Sequence, residues 1–190
     1  MTKEQLFKAH LNQIVINAWA QIKTFLMALP VGVVVGVISW FILSALEKKY
    51  EILRERKRVA VALIAYLSII LQMGLFSRPF GSIRVMKWIP FITPGGGQLI
   101  ILYAMANLII FIPFGFLVTR TFRKSADSVW KIALILLAIS LIIEVAQYVL
   151  ACGTSEVEDV IMNVAGGTIG YWIAKKVEKR KNENRKCMEN

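Results

Sequence analysis

The chain has 190 residues, 57% of them hydrophobic, and a mean hydropathy of +0.61, which is too apolar for a soluble domain of about 45–50% apolar residues. Lys and Arg outnumber Asp and Glu by 23 to 12, a net charge of +11 that suggests either an anionic partner or the topology of a membrane protein. Two cysteines, Cys152 and Cys187, and one histidine, His10, lie far apart without ligand-like spacing, so neither a disulfide framework, a metal site nor a cofactor is expected.

Residues 3–22 place Phe7, Leu11, Ile14, Ala18 and Ile22 three or four apart, with Lys3, Gln5, Lys8, Asn12 and Gln13 mostly opposite. This spacing predicts an amphipathic helix over residues 1–23, lying in the membrane interface or packed on the rest of the protein. Residues 24–46 carry no charge and are long enough to cross a hydrocarbon core of about 30 Å. They exceed the apolar stretch of a cleaved signal peptide and read as a retained anchor. Within them Gly32 and Gly36 form a G-x-x-x-G pair suited to close helix packing.

Further spans are predicted at 59–76, 99–119, 130–150 and 157–174, followed by a basic tail over 175–190. The connection 77–97 holds Pro79, Pro90, Pro94 and three consecutive glycines, which exclude a continuous helix. Pro113, inside the third span, should bend it and free a carbonyl. The expectation is an all-α polytopic bundle of about five spans over 24–174.

Alternating the segments across a bilayer puts six basic residues of 47–58, four of 120–131 and seven of the tail on one side. The other side receives three before the first span and three in 77–97. By the positive-inside rule the richer side is cytoplasmic, with the C-terminus inside and the N-terminus outside. The net charge then needs no nucleic acid; the expected surroundings are membrane lipid, and the glycine stripes allow a homo-oligomer.

Polar residues interrupt the last two spans. Glu144 and Gln147 share a face of the fourth, while Glu156, Asp159 and Asn163 recur on one face of the fifth, which continues through Gly166, Gly167 and Gly170. Asn107 of the third span reaches similar depth. A carboxylate in mid-membrane costs about 2.5–3.5 kcal/mol on insertion scales, so it usually faces protein or a wet cavity. Helix capping and interhelical hydrogen bonding are the plain alternatives, strongest for Glu156 and Glu158 in the first turn of a helix. Grouped carboxylates call for a cation, and Arg84, just before the third span, is the expected partner.

RVMKWIPF (84–91), NLIIFIPFGFLV (107–118) and SLIIEVAQYVLACGTSEVEDVIMNVAGGTIGY (140–171) together resemble the VanZ family. That family's pattern runs Arg-x-x-Asn-Leu-x-Pro-Phe, Asn-x-x-x-Phe-x-Pro-x-Gly, Glu-x-x-Gln and Asp-x-x-Asp-x-x-x-Asn-x-x-Gly-Gly. Arg84, Asn107, Pro113, Gly115, Glu144, Gln147, Asp159, Asn163, Gly166 and Gly167 stand at its positions. Lys87 replaces the usual Asn, and Glu156 the usual Asp. The resemblance covers about half the chain and leaves the first 75 residues outside it. It implies a bacterial cytoplasmic-membrane protein that lowers susceptibility to teicoplanin-type lipoglycopeptides. A ligand set of Arg84, Asn107, Glu144, Gln147, Glu156, Asp159 and Asn163 would bind the drug or a cell-wall precursor; Pro113, Gly115, Gly166, Gly167 and Gly170 are structural. The alternative is an intramembrane enzyme using Glu144 and Asp159 as acid and base, though no nucleophile with an adjacent base is visible. A transporter ranks below both, because no internal repeat is evident.

Overall fold

In a computed structural model the described residues are 3–47, 51–76, 81, 83–87, 97–123, 126 and 128–189. They form five helices: α1 (Lys3–Glu47), α2 (Glu51–Leu71), α3 (Gly97–Thr121), α4 (Val129–Leu150) and α5 (Val157–Glu189), with two short strands, β1 (Ile83–Lys87) and β2 (Cys152–Glu156). The protein is an all-α membrane bundle. Four helical stretches among the described residues are long and apolar enough to cross a membrane: Leu11–Glu47, Arg56–Phe76, Leu102–Thr121 and Val129–Leu150.

The expected fifth span, 157–174, belongs to α5, which falls short of that apolarity. Its polar and small residues explain this. Tyr171 and Ala174 are buried, and Gly166, Gly167 and Gly170 touch α3 and α4, so much of its surface meets protein. A helix lined by neighbours has no need to be greasy all round.

The expected boundaries at 23/24 and 174/175 fall inside unbroken helices. Neither carries a glycine, proline or capping signal, and a change of polarity alone does not end a helix. At about 1.5 Å per residue the 45 residues of α1 extend for about 68 Å, more than twice a hydrocarbon core. Its hydroxyls bond to its own turns, Thr24 to the Ala20 carbonyl at 2.9 Å and Ser39 to that of Gly36 at 2.9 Å, so these two groups are paired within the helix.

α1 and α2 form a hairpin. Gly32 receives Ile69 and Gly36 lies against Ala65, while at the other end Lys57 Nζ meets Glu47 at 2.9 Å and sits 4.1 Å above the Trp40 ring. α2 ends in a widened π turn, Gln72–Phe76. In α3, Pro113 removes a backbone donor and loosens the turn before it. Tyr66 of α2 donates its hydroxyl to the Ile110 carbonyl there, at 2.9 Å. Phe111, Phe114, Val118, Ile132, Leu136, Ile143 and Tyr171 make the core between α3, α4 and α5.

The closest helix contact is between α3 and α5. A Cβ at Gly166 would overlap the Leu108 carbonyl, one at Gly170 that of Ile112, and one at Gly115 the backbone of Gly167. Gly115, Gly166 and Gly170 lie at this close approach, and Gly167 also receives Leu136 of α4.

The strands were not expected. Most of 77–97 lies outside the described residues, but β1 within it pairs in parallel with β2, the connection between α4 and α5, in the register Arg84 to Gly153 and Lys87 to Glu156. α4 stops at Ala151, which adopts a left-handed φ of 49° and gives its N–H to the Gln147 and Tyr148 carbonyls. The Gly81 N–H closes on the Leu150 carbonyl at 3.1 Å, tying the two connections together.

Candidate functional site

The polar residues of the last two helices meet where α4 turns back into α5. Glu144, six residues from the end of α4, is buried at 5% exposure, and its Oε2 accepts the backbone N–H of Glu156 at 3.0 Å. Glu156 immediately precedes α5, whose first turns have N–H groups without intrahelical acceptors. The chain reversal thus supplies a donor to the carboxylate, which holds the start of α5 against α4. Glu158 and Asp159 follow in the first turn, where the helix dipole favours negative charge.

Asp159 is the centre of the group. Asn107 of α3 hydrogen-bonds its carboxylate, and Glu144, Glu156 and Glu158 all lie near enough to repel a charge on it. Three helices and one strand end thereby contribute to a single polar cluster. Glu158 is buried at 6%.

One turn below Asp159 on α5, Asn163 is 4% exposed and donates Nδ2 to Ser140 Oγ at 2.9 Å, one turn below Glu144 on α4. Two parallel layers result: carboxylates above, amide and hydroxyl beneath. Gln147, nearly one turn above Glu144, donates Nε2 to the Gly74 carbonyl at 3.1 Å, joining α4 to the π turn of α2. The amide oxygens of Gln147 and Asn163 are both buried without a hydrogen-bond partner.

Of the expected ligand set, Asn107, Glu144, Glu156, Asp159 and Asn163 therefore lie together, with Gln147 at the edge toward α2. Arg84 reaches this region through its backbone, beside Gly153; its side chain lies outside the described residues. Two contributors escaped the sequence reading. Ser140 is four residues before Glu144 on the same face and was discoverable from that spacing; Gly74 acts through a carbonyl exposed by a π turn that its side-chain pattern does not encode. Among the described residues no group of three or more His, Cys, Asp or Glu is arranged to hold a metal ion.

The VanZ/LLP1 family model matches residues 31–178. The match begins inside α1, so the family unit includes most of the α1–α2 hairpin that the motif resemblance left out. Protein VanZ of Enterococcus faecium is 42% identical to this chain over 64 residues, 34% of this chain and 38% of that protein. The similarity thus spans well under half the length of that relative. No solved structure matches the chain.

Proposed function

Because this chain belongs to the VanZ/LLP1 family, we propose that it lowers susceptibility to teicoplanin-type lipoglycopeptides by binding the drug or a cell-wall precursor head group in the polar cluster. The observation behind this reading is the convergence of Glu144, Asp159 and Asn107 from three helices at the α4–α5 reversal. Carboxylates within an apolar bundle are costly, and the helix ends alone do not require so many of them. Under the basic-loop topology this end of the bundle faces outside, the tail is cytoplasmic, and the cluster sits at the depth where lipid-linked head groups arrive.

The test is expression in a teicoplanin-susceptible Gram-positive host. Tolerance should rise, and Glu144→Ala or Asp159→Ala should reduce the rise while the protein remains in the membrane. No rise, or one indifferent to both substitutions, overturns the proposal. Mass spectrometry of lipid-linked precursors, expected to show unchanged masses, separates binding from chemistry; a changed mass would replace binding with catalysis by Glu144 and Asp159.

A further inference from the structure

The positive charge of the chain collects at the end of the bundle away from the polar cluster. Segments 47–58, 120–131 and 175–190 hold 17 Lys or Arg against seven Asp or Glu, nearly all of the net +11. Side-chain contacts tie the three together: Lys57 lies 4.1 Å above the Trp40 ring, Arg56 donates Nη1 to the Thr121 carbonyl at 2.9 Å, and Arg123 pairs with Glu178. Exposed indoles mark the same end, Trp40 on α1, Trp130 in the first turn of α4 and Trp172 on α5. Tryptophans of this kind gather where hydrocarbon gives way to lipid head groups.

α5 continues past Trp172 as helix to Glu189, and its charge is uneven. Residues 175–181 carry five Lys or Arg and one acid, Glu178, whose carboxylate is paired with Arg123; residues 182–190 carry two basic and two acidic residues. At about 1.5 Å per residue, Lys176 and Lys179 lie about 6 and about 10 Å beyond Trp172 along the axis, with long side chains that reach back, whereas Arg185 and Lys186 lie about 20 Å beyond it. Salt screens charges over about 8 Å, so the basic half of the tail senses head groups and the balanced half does not.

We infer that residues 175–181 dock on the head groups of anionic phospholipids. Phosphate on an acidic lipid supplies the negative charge this segment lacks, at the depth where its lysines emerge. A nucleic acid or an acidic protein in the aqueous phase would be met by charge reaching the far end of the helix, which here is balanced. The tail also has no aromatic side chain on which bases could stack, and Val177, the one apolar residue of 175–181, gives no face for a protein groove. This inference concerns the opposite end of α5 from the polar cluster and does not depend on the proposed function.

The test places the full chain in nanodiscs of equal phosphatidylglycerol and phosphatidylcholine and reads the lipids it retains by native mass spectrometry. A basic residue near an anionic surface contributes about fivefold, so phosphatidylglycerol should be retained over phosphatidylcholine by about fivefold or more. Two double variants each remove two positive charges from exposed positions of the tail, with glutamine preserving the helix. Lys176→Gln with Lys179→Gln should abolish most of the preference, and Arg185→Gln with Lys186→Gln should leave it as in wild type. Equal retention of the two lipids by the wild type overturns the inference. So does an equal loss in both double variants, the mark of attraction to net charge alone or of a soluble polyanion lying along the whole tail.

Discussion

Replacing Gly166 by alanine tests the closest contact in the fold. Intrinsic helix propensity favours the substitution by about 1 kcal/mol, since glycine is the more flexible residue in the unfolded chain. Against that, the new Cβ overlaps the Leu108 carbonyl carbon and oxygen, which are backbone atoms in the middle of α3 and cannot rotate away. α3 and α5 must then separate, and overpacking of this kind costs about 1–3 kcal/mol, at the upper end when backbone must move. The net expectation is a loss of about 1–2 kcal/mol. Gly36→Ala provides the control within the same protein: its Cβ would lie 3.3 Å from that of Ala65, a side-chain contact that a small shift relieves, so propensity and packing nearly cancel. Reversible unfolding in bicelles, measured for both variants under identical conditions, should rank Gly166→Ala well below wild type and Gly36→Ala within about 0.5 kcal/mol of it. If Gly166→Ala matches or exceeds the wild type, α3 and α5 do not cross at this glycine, and the placement of Asn107 beside Asp159 loses its support.

Three further outcomes follow from the site and the topology. Glu144→Gln keeps an oxygen for the Glu156 N–H and should leave stability near wild type, whereas Glu144→Leu strands that donor and should cost about 1–3 kcal/mol in the same unfolding assay. A double-mutant cycle with Ser140→Ala and Asn163→Leu should give a coupling of about 0.6 kcal/mol, the usual scale for interhelical hydrogen bonds in membranes; zero coupling would deny the bond. Cys187 is exposed and Cys152 buried, so a membrane-impermeant maleimide should label the wild-type chain only after lysis, and labelling of intact cells would reverse the proposed orientation.

Much of this arrangement was legible from residue types and spacing. Uncharged runs marked the four helical stretches long and apolar enough to cross a membrane, Leu11–Glu47, Arg56–Phe76, Leu102–Thr121 and Val129–Leu150, because lipid imposes a simple compositional demand that survives any detail of packing. The shared faces of Glu144 with Gln147 and of Asp159 with Asn163 follow from helical periodicity. What could not be read depended on backbone partners. IRVMK and CGTSE are too short and irregular to announce strands, and their pairing joins residues about seventy positions apart, a relation no local pattern contains. The left-handed turn at Ala151 uses a residue with no preference for it, so the reversal is held by its surroundings. The continuity of α1 through residue 23 and of α5 through residue 174 was hidden for the opposite reason: polarity changed sharply there while nothing in the backbone did.

The glycines and the acids are two parts of one device. Asn107 and Asp159 have among the shortest polar side chains, and they meet across separate helices only where the backbones approach closely. Leu108, adjacent to Asn107, is the residue whose carbonyl abuts Gly166, so the crossing that removes Cβ atoms from α5 is also what brings the Asn107 amide within reach of Asp159. Glu144 is brought in by the other route, through the Glu156 backbone at the reversal. A wider α3–α5 spacing would leave Asp159 among three carboxylates with its amide donor withdrawn. Under the proposed function, Gly166→Ala should consequently reduce drug tolerance beyond what its loss of stability predicts, and a stabilising substitution elsewhere in the bundle should restore the amount of protein without restoring tolerance. Full recovery of tolerance with recovered abundance would separate the glycine crossing from the polar cluster, and with it the claim that close packing is what assembles the site.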